Sequence, residues 1–243
     1  MSEKSDKPGG SSILGCPTWR YFRVIDANRE RLERYTSAMG EELGLAYAEL
    51  TRNLVDIRIV WQQYRQLFGT DQETIDLLNR TSGLFFQVVE RELWDMVLIA
   101  ITRITDPPSS GRKDAKKNLT LRSLPELISD DALRESVIQD LTVARSSSDS
   151  AREHRNKRIA HQDDTYVRTR HEADALPPIS RRNIEEAIHA LGEVLNNIRR
   201  HYMDSEMDYS DFVAIDGADT LLQKLRRLEE LEKQRIGWNH PTH

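Results

Sequence analysis

The chain has 243 residues and a formal net charge of −5. That is long enough to bury a core without staples, and the overall sign is wrong for a general polyanion binder. A nucleic-acid site would need a local basic patch. Cys16 is the only cysteine, so an internal disulfide and a thiolate metal site are both excluded, in keeping with a reducing, cytoplasmic setting. Residues 1–17 are polar and Gly/Ser-rich and lack the apolar run of a signal peptide. They are expected to form a flexible tail. The most apolar stretch, 93–104, is interrupted by Asp95 and Arg103 and is too short for a bilayer. No membrane location is expected.

In chain order, residues 28–39 predict a helix or a helical extension, with Gly40 as its joint. Leu43, Tyr47, Leu50, Leu54, Ile57, Trp61, Tyr64 and Phe68 then recur at alternating spacings of four and three. This places one apolar stripe on a long helix that Gly69 stops. Trp61 and Tyr64 belong to that stripe and are read as core. Thr70 and Glu73 have capping-box spacing for a short helix. A long helix is predicted over 81–104, with Phe85, Val89, Leu93, Met96 and Ala100 on its inner face, ended by Asp106-Pro107-Pro108. A basic loop follows over 107–118.

A short helix is predicted over 120–128. A longer one starts at Asp130 or Asp131 and runs towards His161, with Leu133, Val137, Leu141, Ala144 and Ala151 as its stripe. The serines of 146–150 are weak helix formers and predict a kink. After an irregular connection over 163–178, Ser180 caps a helix whose stripe is Ile184, Ile188, Leu191, Leu195, Ile198 and Tyr202. A charged helix over 218–235 carries a narrow leucine seam that could dock on the body or pair with another chain. With no alternating strand pattern, these stripes imply an all-α bundle of four to five long amphipathic helices with a C-terminal helical extension. The divisions are a tail at 1–17, a helical domain at 18–203, and an extension and tail at 204–243.

Familiar chemistry is missing from the sequence. There is no phosphate-cradling glycine loop, no nucleophile elbow and no compact metal set. Neither a metal nor a cofactor is expected. The carboxylates fall mostly on solvated helix faces, without an acid/base pair. The segment 152–161 stands out instead. Arg152, Arg155, Lys157 and Arg158 outweigh Glu153, with His154 and His161 beside them. Arginine and lysine clusters grip phosphate oxygens, and histidine exchanges protons near neutral pH. Spacing alone decides nothing. With 27 arginines and seven histidines, about two Arg-to-His pairs separated by four to six residues arise by chance. The chain holds three: Arg155 to His161, Arg182 to His189 and Arg235 to His240. Only His161 closes a basic run at a helix end. His189 flanks a core stripe, and His240 lies in the tail.

Arg155-Asn156-Lys157, Ala160-His161 and Asp163 together resemble the signature of HEPN domains, and the abortive-infection AbiU-like branch in particular. Trp61-Gln-Gln-Tyr-Arg-Gln-Leu-Phe68, the segment from Leu93-Trp-Asp-Met to Thr105-Asp-Pro107, Asn118-Leu-Thr-Leu121 and the Pro-Ile-Ser of 178–180 resemble that branch in the same order. The likeness spans 28–203. It implies a HEPN-like bundle and a metal-independent endoribonuclease acting as a toxin or phage-defence effector. Arg155, Asn156 and His161 would be catalytic. Arg152, Lys157 and Arg158 would hold the RNA backbone. On a regular helix, six residues turn a net 240° and rise about 9 Å, so Arg155 and His161 would not share a face. Either the helix ends near Ala160, or two chains combine. The likeness implies a homodimer with facing motifs. The expected partners are RNA, a second copy, and an antitoxin or another defence protein. The alternative is a non-catalytic dimeric module binding RNA, nucleotide or a partner protein.

Overall fold

The computed structural model describes residues 18–109, 117–160, 179–209 and 216–238. The predicted tail at 1–17, most of the basic loop and the connection 163–178 lie outside these residues. Helix α1 covers Thr18–Met39 and α2 covers Glu41–Phe68. Gly40 joins them at φ 82°, a left-handed backbone that glycine adopts without steric cost. The joint folds α1 back along α2, and Gly44 makes the close crossing possible. A Cβ there would lie 2.6 Å from the Thr36 Cα. The stripe from Leu43 to Tyr64 is buried as predicted, and Gly69 closes α2 by donating its N–H to the Arg65 carbonyl at 2.8 Å. Trp61 stacks on Tyr64 with ring centroids 5.2 Å apart, and Trp94 packs against both. Trp61 and Tyr64 are core residues.

Helix α3 covers Gln72–Thr105 and merges the two helices expected there across a kink at Ser82 (φ −166°, ψ 73°). Its cap is Asp71 rather than Thr70, with the Asp71 carboxylate accepting the Thr74 N–H at 2.7 Å. The inner face also differs from expectation. Phe86, Val97, Leu98, Ile101 and Ile104 are buried, whereas Phe85 is 58% and Met96 52% exposed. This helix is apolar on most of its circumference, so periodicity alone does not choose the face. The helices packed against it choose.

A 3₁₀ turn over Leu121–Leu127 follows, then α4 over Asp131–Ser147, capped by Asp130 accepting the Leu133 N–H at 2.7 Å. The predicted break falls at Ser148, whose buried hydroxyl donates back to the Ala144 carbonyl at 2.7 Å. Helix α5, Asp149–His154, continues into a π-helical turn over Arg155–Ala160. Helix α6, Arg181–Met203, starts in a capping box of Ser180 with Asn183, and its stripe from Ile184 to Ile198 is buried. It packs lengthwise on α4, where Asn197 donates to Ser136 and Asp140. Asn196 exchanges hydrogen bonds with the Met207 backbone and ties 204–209 across α6, with Tyr209 over Gly192.

Helix α7, Ala218–Trp238, docks on the body. Leu222 joins Leu67, Leu77, Leu78 and Phe86 in a small second core. Arg80 pairs with Glu229, and Arg226 donates to Thr74. Leu228 and Leu231 of the same seam stay exposed. The described residues form an all-α bundle without strands. No described helix is long and apolar enough to cross a membrane.

Candidate functional site

The basic segment sits where α5 leaves its regular course. Ser148 ends α4 in a near-bridge conformation (φ −95°, ψ −3°), so α5 begins with a new direction and packs on the end of α3. At Arg155 the helix widens into the π turn. Such turns are rare and concentrate at functional sites. The residue opposite is Asp106, at the C-terminal end of α3. Its two carboxylate oxygens divide between two arginines: Arg152 Nη1 donates to Oδ1, and Arg155 Nη1 donates to Oδ2 at 2.6 Å. Arg152 Nη2 also donates to the Thr105 hydroxyl at 2.8 Å, which uses up its inward edge.

Arg155 is less committed. Its Nε donates to Asn156 Oδ1 at 3.1 Å, its Nη1 holds Asp106, and its side chain is 23% exposed. A guanidinium carries five N–H groups in a fixed fork, so the Nη2 edge retains capacity for an anion. The arrangement brings Arg152, Arg155 and Asn156 into one cluster. Lys157 turns outward and pairs with Glu153 at 2.7 Å. Arg158 lies on the π turn, but its side chain is outside what is described, as is the whole of His161. The 240° separation calculated for a regular helix does not hold through a π turn, whose hydrogen bonds run i to i+5.

Asp106 is the site residue that sequence reasoning missed. Its place before two prolines gives it the character of a helix stop, and it is one. The useful signal was Thr105-Asp106-Pro107 among the segments resembling the AbiU-like branch, since both Thr105 and Asp106 hold Arg152. Asp106 also trims the charge of the patch. The formal excess of three positive charges over 152–158 falls to two once this carboxylate folds against it.

A second polar centre lies on α6. Glu185 accepts from Arg58, from Trp61 Nε1 at 2.8 Å and from Arg65 Nη1 at 2.7 Å. Burial pushes this carboxyl up, but the hydrogen bonds from Arg58 and Trp61 and the charges of Arg58 and Arg65 outweigh burial. They hold it below the usual carboxylate range. It is thus an ionised tether between α2 and α6, and it departs from the expectation that carboxylates sit on solvated faces. Nearby, the hydroxyls of Tyr47, Thr51 and Tyr209 are buried together, and burial pushes both phenols up. They stay protonated at neutral pH and offer no base. His189, beside them on α6, is exposed. Among the described residues, no group of three or more His, Cys, Asp or Glu is placed to hold a metal ion.

The family model for HEPN AbiU2 (AbiU2) matches residues 40–221. That range contains α2 to α6, the Asp106 cluster and the first turn of α7. No curated protein and no solved structure matches the chain.

Proposed function

The chain belongs to the HEPN AbiU2 family, and from that premise we propose that it is a metal-independent endoribonuclease acting in abortive infection. The observation that carries this reading is the Arg155 guanidinium. It is fixed on a π turn by Asp106 and Asn156 and keeps one donor edge free. In the proposed reaction the RNA 2′-hydroxyl attacks the adjacent phosphorus. A bond from O2′ to phosphorus forms, the bond to O5′ breaks, and the products are a 2′,3′-cyclic phosphate and a 5′-hydroxyl. His161 takes the proton from O2′ and returns a proton to O5′, an effect typically worth about 10²–10⁴ in rate. Arg155 holds the phosphate and stabilises the charge that builds on its oxygens. Asn156 orients Arg155. Lys157 and Arg158 track the backbone without reading sequence, and Arg152 contributes charge from behind.

Two chains complete the site in this reading, with motifs facing across a two-fold axis. The exposed apolar residues Leu84, Phe85, Val88, Met96 and Ile99 on α3 support pairing. Ile99 lies about 10 Å along the helix from Asp106, so a mate seated there reaches the Arg155 cluster. The body at 18–203 carries the site, and 204–243 braces it through α7. RNA is the substrate, and an antitoxin or another defence protein would restrain the toxin.

The test is incubation of purified protein with total RNA in EDTA, followed by analysis of product ends. Cleavage with cyclic phosphate ends is expected from the native chain and not from folded His161→Ala or Arg155→Ala. Cleavage undiminished in both variants overturns the proposal. Binding of RNA by the native chain without any cleavage assigns the site to a non-catalytic module.

A further inference from the structure

Asp106 faces two ways. One side holds the arginines of the basic segment, and the other forms part of a surface cavity of about 380 Å³ between α2, the end of α3 and the residues leading into the 3₁₀ turn. Its polar wall consists of Asn53, Arg103, Asn118 and Thr120, with Ile104 and Leu119 as the apolar part. The volume falls within the range of small-molecule sites, about 300–1,000 Å³.

Three of the four polar residues have hydrogen-bonding capacity left over. Among the described residues, the side-chain amides of Asn53 and Asn118 make no hydrogen bond, and Arg103 has no ion pair, although Asn118 is held in place by its backbone N–H to the Pro108 carbonyl at 2.7 Å. Thr120 closes the wall from behind. It is 1% exposed and caps the 3₁₀ turn in a capping box with Ser123: the Ser123 N–H donates to its carbonyl at 3.0 Å, and its own N–H donates to Ser123 Oγ at 3.3 Å. The capped turn holds Asn118 and Leu119 at the cavity mouth.

We propose that this cavity is a nucleotide subsite, holding the nucleotide next to the phosphate that Arg155 grips. This rests on the ribonuclease reading above. Carboxamides donate and accept in one plane, as the edge of a base requires, so Asn53 and Asn118 take the base. Leu119 and Ile104 contact its face. Asp106 forms the wall towards Arg155, and Arg103 takes the flanking phosphate. A strand so placed runs from Arg103 past Asp106 to Arg155, over the shared wall. The subsite supplies base preference, which the arginines of the basic segment cannot, because phosphate contacts carry no sequence information.

The test measures equilibrium binding of the four nucleoside 3′-monophosphates and of inorganic phosphate to the full-length protein, without turnover. One or more nucleotides should bind at least about tenfold tighter than phosphate. Asn53→Ala and Asn118→Ala should each weaken that nucleotide about tenfold and leave phosphate unchanged, as expected for loss of one or two hydrogen bonds. Arg103→Gln should weaken both. A short RNA with 2′-deoxyribose throughout the cleaved region should displace the nucleotide. Equal binding of nucleotides and phosphate, or variants that bind as the native chain does, overturns the subsite even if RNA is cleaved. A nucleotide that RNA does not displace assigns the cavity to a free nucleotide and overturns the strand-bound reading. Discriminating, RNA-displaceable binding by a chain that cleaves no RNA supports the subsite and removes the nuclease reading. Each variant is checked for an unchanged thermal midpoint, expected because Asn53, Arg103 and Asn118 are partly or fully exposed.

Discussion

Replacing Asp106 with alanine removes the acceptor shared by Arg152 and Arg155 and leaves two guanidiniums facing each other. Both arginine side chains are about three-quarters buried, and Asp106 is 28% exposed. A hydrogen bond to a charged group contributes about 1.5–3 kcal/mol. Partial exposure weakens these bonds, so the two together come to about 3 kcal/mol at most. In urea the midpoint of Asp106→Ala should fall by that free energy divided by the slope, with the slope itself unchanged. A double-mutant cycle with Arg155→Ala should show coupling of about 1–2 kcal/mol. Function separates this account from simple destabilisation. Losing a negative charge beside the patch should strengthen RNA binding and steepen its salt dependence by about one counterion. Cleavage should fall about 100-fold, because Arg155 is no longer held in place. A stability change below about 0.5 kcal/mol, or absent coupling to Arg155, would refute the reasoning. So would RNA affinity that falls together with cleavage.

Other expectations follow from the same structure. Glu185→Gln should cost about 2 kcal/mol at pH 7, since it weakens bonds to Arg58, Trp61 and Arg65. Its carboxyl is held low in the folded chain, so its stabilisation is fully present above the unfolded value of about 4.3 and is lost as pH falls through the folded value. Urea midpoints of the native chain and Glu185→Gln should therefore converge below about pH 4, and a constant gap down to pH 3 contradicts the tether. Gly44→Ala sets a Cβ 2.6 Å from the Thr36 backbone and should cost about 1–3 kcal/mol through overpacking. Hydrogen exchange should locate the loss of protection in α1, and protection lost evenly over the bundle counts against this account. Met96→Lys with Ile99→Lys should halve the mass in light scattering and leave the thermal midpoint within about 3 °C, because both side chains are exposed in one chain. An unaltered dimer mass shows that pairing does not use this face of α3.

The elements that were legible beforehand are those whose cause is local. Gly69 ends α2, Asp130 and Ser180 cap α4 and α6, the serines near 148 break a helix, and single stripes on α2, α4 and α6 face inward. Each follows from one residue's backbone preference or from a periodicity within one segment. Resemblance added the family and pointed to 155–161. It did not reveal how those residues are held, and His161 lies outside the described residues. What remained hidden depends on residues far apart in the chain. Helix α3 has apolar side chains on most of its surface, so only contact with other helices selects Val97 over Met96 and, with α7 also present, Phe86 over Phe85 for burial. Asp106 reads as a helix stop until α5 brings Arg152 and Arg155 against it across more than forty positions. Glu185 reads as a surface carboxylate until α2 presents Arg58 and Trp61. A charge pair or a cavity wall exists only when separate helices meet, and the order of residues along one helix does not specify which partner it will meet.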